Sequence, residues 1–465
     1  MEELQELSEI GIGLDIYYII EFFLFLWISY QYRRSQISIL IILLYFFGLF
    51  GFFGKTGFEI QKIITLLGSV YVVINNGAFS QLNSKLRIAL GLFSVFAGYY
   101  FITSFVLNGD PILITMSQLS KYIIPILLFF EMYRIALKNP QNLYILNNLF
   151  YKLLLIQIGL NFIKLLILGA TFEGMVGSIT GVGRGGGVGT TIPLIGLCWI
   201  ALNTNFIKLD KRTILFLAGL LFIGFMTGKR AVWLLFPVLF FVYSMYVSKK
   251  KYPRRFLYAL LLTPLLFYVG LRLSPTLNPE RKVWGSFDIE YAWNYIMDYS
   301  AGKEDASGDR GEGTGRIGAN KLLWNATMDT DTHTNETWFG YGNTRIYAAD
   351  YSRYTDQEYN FGAKSRGSLT SIFMMFIAIG VIGVILFLAY FISIFFQVKY
   401  TRLRWTLLGV ALFDFIFYNG TIIREPALCT LLLFLILYSR IQYDKEGNFV
   451  GKIYNISLKR LSKVL

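Results

Sequence analysis

Cysteine is nearly absent: the 465-residue chain carries two, Cys198 and Cys429. Both fall inside apolar segments, which argues against a disulfide and against a metal site. Charge is scarce as well. Asp, Glu, Lys and Arg make up 15% of the chain, whereas a soluble domain carries about 25%. The N-terminal "MEELQELSEI" is acidic and lacks the basic region of a secretory signal, so no cleavable signal is expected. No convincing internal repeat is visible, which leaves an inverted-repeat transporter without support. The Gly-rich "GVGRGGGVGTT" (181–191) lacks the lysine that an ATP-binding phosphate loop requires.

What is abundant is apolar surface. Hydrophobic residues make up 55% and aromatic residues 17%, and the mean hydropathy is +0.52. Apolar runs long enough to cross a hydrocarbon core of about 30 Å recur along the chain. The sequence therefore reads as an all-α polytopic membrane protein with about thirteen spans. They are expected near 12–31, 37–54, 58–76, 87–107, 113–135, 144–168, 189–206, 213–228, 230–247, 256–274, 368–396, 404–419 and 426–440. Asn75 and Asn76 make the third one short.

The net charge of +14 is read as basic loops facing anionic lipid headgroups, with membrane lipids and not nucleic acid as partner. Short loops rich in Lys and Arg stay in the cytoplasm. Placing "SKKKYPRR" (248–255) there puts "QYRRSQ" (31–36), "NSKLR" (83–87), "IKLDKR" (207–212) and "QVKYTRLR" (397–404) on the same side by alternation. The expected organisation is ten spans in 1–274, a large extracytoplasmic loop at 275–367, three spans in 368–440 and a cytoplasmic tail at 441–465. The N-terminus then lies outside and the C-terminus inside. Within the long loop, "AGKEDASGDRGEGTGR" (301–316) reads as flexible, and "IGANKLLWNATM" (317–328) has helical spacing. Its Ile317, Leu322, Leu323 and Trp324 are placed to pack against the membrane face.

Alternation also puts cations on the side where they are disfavoured. Arg184 lies in the Gly-rich stretch, Lys229 and Arg230 in "FMTGKRAVWLLF" (225–236), Arg310 and Arg316 in the long loop, and Arg424 in "NGTIIREPA" (419–427). A charge near the bilayer centre costs about 2.5–3.5 kcal/mol on insertion scales, so such residues usually line a cavity or bind an ion. Glycines let backbone N–H groups approach an anion, and arginine grips phosphate oxygens with a planar fork. Structural alternatives stand beside this. Lys229 and Arg230 could snorkel to headgroups, Arg310 could be a solvated charge, and Arg424 could pair with Glu425 or Asp414. The buried charges Glu21, Glu131, Lys164 and Asp414 suit either a transport path or pairing between helices.

The order of three motifs resembles the family of bacterial O-antigen polymerases and O-antigen ligases. The first is the "FMTGKRAVWLLF" step between two central spans, with Arg230 as its arginine. The second is "GRIGANKLLW" followed by "WFGYGN" (338–343), with Arg316, Trp324, Gly340 and Gly342. The third is "GSLTSIFMMFIAIGVIGVILF" (367–387), which ends on Gly380 and Gly383. The resemblance covers about residues 180–390 and implies a GT-C-like transferase fold. It implies undecaprenyl-diphosphate-linked oligosaccharide substrates, no cofactor and no metal, and it leaves room for a chain-length regulator as partner. Arg184, Lys229, Arg230, Arg316 and Arg424 would hold the diphosphate. The ligases carry a histidine just before the span that follows the loop, and "GAKSRGSLTS" (362–371) has none. The only histidine is His333, beside Asp331 and Glu336. If it is not the general base, Glu336, Asp350 and Glu358 are the candidates. The missing histidine tilts the expectation toward polymerase; ligase-type transfer and a lipid-linked oligosaccharide flippase remain the alternatives.

Overall fold

A computed structural model describes residues 2–33, 37–47, 49, 54–140, 142–168, 176–179, 186–204, 211–227, 252–273, 277–282, 284–301, 316–327, 334–346, 369–417 and 421–442. Among them all regular structure is helical. The first half comprises α1 (Glu2–Gln31), α2 (Ile37–Phe46), α3 (Gly54–Asn75), α4 (Ser84–Phe101), α5 (Ile112–Lys138), α6 (Asn142–Leu168), α7 (Gly186–Thr204) and α8 (Lys211–Met226). Then come α9 (Tyr252–Leu273), α10 (Ile289–Ala301), α11 (Arg316–Thr327), α12 (Thr334–Phe339) and α13 (Asn343–Ile346). The chain continues through α14 (Ser371–Phe395), α15 (Thr401–Phe417), α16 (Thr421–Arg424) and α17 (Pro426–Gln442).

Among the described residues, four stretches are long and apolar enough to cross a membrane: Ser84–Leu107, Ile112–Lys138, Asn142–Ile167 and Ser371–Phe395. The protein is thus an all-helical chain with the character of a membrane protein. The span expected at 230–247 lies outside the described residues. Helix α11 forms where the spacing predicted one, with Leu323 buried and the Trp324 ring 6.0 Å from Phe373. Ile317 is exposed instead, and the Leu322 side chain lies outside the described residues.

Burial sorts the helices by their surroundings. A helix that is apolar all round has to be enclosed, and α17 is buried at nearly every position from Pro426 to Ser439. Helix α1 instead exposes Ile19, Phe22, Phe23, Leu26 and Trp27, the surface that hydrocarbon would cover. Helices α4, α5 and α14 share an aromatic core. The Phe96 ring lies 5.1 Å from Tyr390 and 5.7 Å from both Tyr122 and Phe387. Edge-to-face pairs of this kind add about 0.5–1.5 kcal/mol beyond burial.

The buried charges that the sequence left open have structural partners. Glu131 accepts from Arg134 Nε one turn along α5, at 2.8 Å, and from Asn76 Nδ2 at 3.0 Å. Asp414 Oδ2 accepts from the Ile422 N–H at 2.8 Å and ties α16 to α15. The Lys164 ammonium and the Tyr17 hydroxyl both donate to the Gly177 carbonyl, and Glu21 acts electrostatically on both of these side chains. Asn161 and Gln157 accept from the N–H groups of Gly177 and Ser178, each at 2.8 Å. Helix α6 therefore grips the turn 176–179 with its own polar side chains.

The two ends of the bundle collect different loops. At one end, Asn83 caps α4 by accepting from Leu86 N at 2.9 Å. Its amide also donates to Tyr133 Oη at 3.0 Å and to Gln397 Oε1 at 3.4 Å. Asn83, just before α4, and Gln397, just after α14, thus meet at this end. The opposite end holds the candidate site.

Candidate functional site

The site begins with a break in α14. An uninterrupted helix hides its carbonyls in its own hydrogen bonds. Gly380 interrupts this one with φ 66° and ψ −175°, in a region that is essentially confined to glycine and costs an L-residue about 1–3 kcal/mol. The return of the long loop docks on the freed backbone. Tyr341 N donates to Ile377 O at 2.6 Å, and Gly342 N donates to Ala378 O at 3.2 Å. Glycine is required on both sides of this contact. A Cβ on Gly380 would lie 2.2 Å from Trp338 O, and one on Gly340, whose φ is 85°, would lie 2.5 Å from Ile379 N. The glycines of "WFGYGN" and of the following span therefore meet directly.

Helix α4 receives the docked segment from the other side. The Tyr99 hydroxyl lies 3.2 Å from Trp338 O and 3.0 Å from Ile379 O, between loop and helix. Beyond α4 the chain widens into a π-helical turn, Ile102–Leu107, a distortion frequent at functional sites. Ser104 Oγ there accepts from Asn343 Nδ2 at 2.9 Å, and Tyr100 Oη donates to Asn343 Oδ1 at 2.7 Å. Asp110 completes the clamp. Its carboxylate accepts from Asn343 N at 2.6 Å, from Thr344 N at 3.1 Å and from Thr344 Oγ1 at 2.6 Å. Burial pushes the Asp110 carboxyl above its ordinary value, and the Thr344 hydroxyl and the two backbone donors oppose that shift without cancelling it.

Beside the clamp lies a narrow cleft lined by Tyr100, Gln118, Tyr122, Asn343, Ser371 and Arg424, with Met374 and Ala378 as apolar walls. About 280 Å³ there is free of protein atoms, part of it open to solvent. The enclosed part has room for about one water molecule. Arg424 ends α16, and its Nη1 lies 3.2 Å from the Met374 sulfur. One guanidinium, two amides, two phenols and a hydroxyl make a surface rich in donors. That suits an anionic oxygen or a hydroxylated ligand at the rim. A ligand larger than water fits the enclosed part only if lining side chains move.

Of the residues singled out from sequence, Arg424 lines this cleft. Glu336 sits on α12, which leads into the docked turn, but it is not a lining residue. Arg316 opens α11, and its side chain lies outside the described residues. Arg184, Lys229, Arg230, Arg310, His333 and Glu358 also lie outside the described residues, as do Asp331 and Asp350. No group of three or more His, Cys, Asp or Glu side chains able to hold a metal occurs among the described residues.

Sequence reasoning passed over Asp110, Tyr100 and Gln118. Asp110 had a local signal: it stands between Gly109 and Pro111 in a short connection of two spans, where a solvated turn needs no buried carboxylate. Tyr100 and Gln118 had none, since each sits in an apolar helix like many others. No protein-family model matches the chain, and no curated protein sequence matches it significantly.

Proposed function

We propose that this chain is a polysaccharide polymerase of the O-antigen or capsule type, a GT-C-like glycosyltransferase of about thirteen spans. It resides in the bacterial cytoplasmic membrane, with the N-terminus outside and the C-terminus in the cytoplasm. The observation that carries the reading is that Arg424 lines one cleft together with Asn343 of the docked "WFGYGN" turn, and that this turn is seated on the break at Gly380. These are three separate parts of the chain, and each was singled out from sequence for this activity. The end of the bundle that holds them also receives the long loop.

In this reading a hydroxyl of a new lipid-linked repeat unit attacks the anomeric carbon of the growing glycan. The bond from that carbon to the undecaprenyl diphosphate oxygen breaks, and the electron pair leaves with the diphosphate. The hydroxyl proton passes to a general base within hydrogen-bond reach, for which His333, Glu336 and Glu358 are the candidates. Arg424 stabilises the departing anion, together with Arg184, Lys229, Arg230 and Arg316. Removing one such donor costs about 10²–10³ in rate.

The test is deletion of the gene, with the surface glycan separated on a gel. A single repeat unit on the anchor supports polymerase. Accumulation of long lipid-linked chains points to ligase, and repeat units trapped on the cytoplasmic side point to a flippase; either outcome overturns the proposal.

A further inference from the structure

Helix α10 carries an apolar stripe that the fold leaves uncovered. Ile289, Trp293 and Met297, spaced four residues apart, are 54%, 62% and 50% exposed. The adjoining face is used: Ala292 is buried against Leu271 at the end of α9 and against Leu277, with Tyr295 and Ile296 packed beside them. Glu290, Asn294 and Asp298 occupy the third face and are exposed. The helix thus has one side against protein, one polar side and one bare apolar side.

What covers the bare side follows from where α10 is held. Helix α9 exposes Leu257, Leu261 and Leu265 at the same four-residue spacing, the stripe of a helix facing hydrocarbon. Its end carries an aromatic and cationic anchor of the sort that marks a membrane–water interface. Arg272 Cζ lies 4.5 Å from the Trp284 ring, and Arg272 Nη1 donates to Tyr268 Oη at 2.8 Å. Arg272 Nε donates to Gly285 O at 2.9 Å, and Gly285 N returns a bond to Arg272 O at 3.0 Å. Trp284 and Phe287 are 49% and 41% exposed, and the Phe287 ring, two residues before α10, lies 5.0 Å from Tyr268 of this anchor. Across the loop, Trp324 of α11 rests on Phe373, in the first turn of the span α14. Both loop helices therefore sit at the level where spans end.

We propose that α10 lies in the plane of the membrane, with Ile289, Trp293 and Met297 buried in the headgroup and acyl boundary of the leaflet beside the loop. The partner is the lipid surface, bound through apolar area. Its polar face carries Glu290 and Asp298 and no Lys or Arg, so anionic lipid supplies no attraction. The long loop is then floored on the bilayer and not held free in solvent.

Depth measurement tests this in the full-length protein. Both native thiols are buried, so a spin label reports only the cysteines introduced. Ile289→Cys, Trp293→Cys, Met297→Cys, Glu290→Cys and Asn294→Cys are labelled one at a time in phosphatidylcholine nanodiscs. Accessibility to oxygen and to a water-soluble nickel complex is then compared. The expected result is oxygen in excess at 289, 293 and 297 and the nickel complex in excess at 290 and 294. Replacing part of the phosphatidylcholine with phosphatidylglycerol leaves the pattern unchanged. Nickel access at 293 and 297 equal to that at 290 overturns the proposal, because the stripe then faces water. Shielding of 293 and 297 from both reagents also overturns it, because a second copy or another protein then covers the stripe.

Discussion

The two ends of the bundle are built by different means. The end that holds Asn83, Tyr133 and Gln397 is closed by side-chain amides between intact helix termini. Nearby, the buried pair of Glu131 and Arg134 is satisfied within one helix, and Asn76, just after α3, adds a further bond. The end that holds Asp110, Asn343 and Gly380 is built from backbone. A span is broken, a loop is laid on the break, and one carboxylate receives three donors from the docked turn. The first arrangement is closed wherever its helices are packed. The second exists only while the loop is docked, and it leaves a cleft beside the docked segment. In the proposed function, the first suits a permanent seal and the second a substrate entrance.

Substitutions at the two ends sharpen this contrast. The largest effect is expected from Arg424→Ala: long-chain glycan falls by about 10²–10³ on a gel, with protein level unchanged. Arg440→Ala, whose guanidinium lies 5.6 Å over the Tyr133 ring at the other end, leaves chain length as it is. Equal loss in both variants would break the assignment of chemistry to one end. Next is Glu131→Leu, which strands a buried guanidinium and lowers stability by about 3–5 kcal/mol. Combining it with Arg134→Met restores most of that loss, and thermal midpoints in detergent report both.

Gly380→Ala comes third, with a cost of about 1–3 kcal/mol from a backbone region confined to glycine, and a clash of its Cβ with Trp338 O adds to it. The measurable result is protease sensitivity at 338–344, whereas Gly409→Ala, with open space at its Cβ, has none. Asp110→Ala is expected to cost about 1–3 kcal/mol through its unpaired donors, with less loss in Asp110→Asn. Its pH dependence has a definite sign. A carboxyl whose value is raised by burial in the folded protein binds its proton more tightly there. Folding stability from this group is therefore full below the ordinary carboxylate value of about 4 and declines as pH rises through the raised value. The wild-type midpoint falls over that window relative to Asp110→Asn; an opposite slope would show that the three donors outweigh burial. The smallest effect is Asn83→Ala, about 1 kcal/mol for a lost helix cap.

Much of the helical layout was legible. Apolar runs located most helices to within a few residues, because a span must satisfy all its backbone groups internally and so declares itself by composition. The glycines of "WFGYGN" and the step at Gly380 were also legible as marked positions. Their mutual contact was not, since nothing local ties Gly340 to a residue forty positions further on. The place of Arg424 beside Asn343 was equally hidden. The charges Glu131 and Asp414 suited either a transport path or pairing between helices, and their partners, an arginine one turn away and a backbone N–H on the next short helix, appear only in three dimensions.

The sequence by itself determined that this chain is helical, suited to a membrane, and basic in its short loops. Hydrocarbon and headgroup charge act on each segment separately, so these properties are local. Only the tertiary structure decided which carboxylate clamps the loop, which glycines touch, and which arginine faces a cleft. Those outcomes depend on contacts between segments tens to hundreds of residues apart, and a glycine or an aspartate looks the same in sequence whether or not such a contact exists.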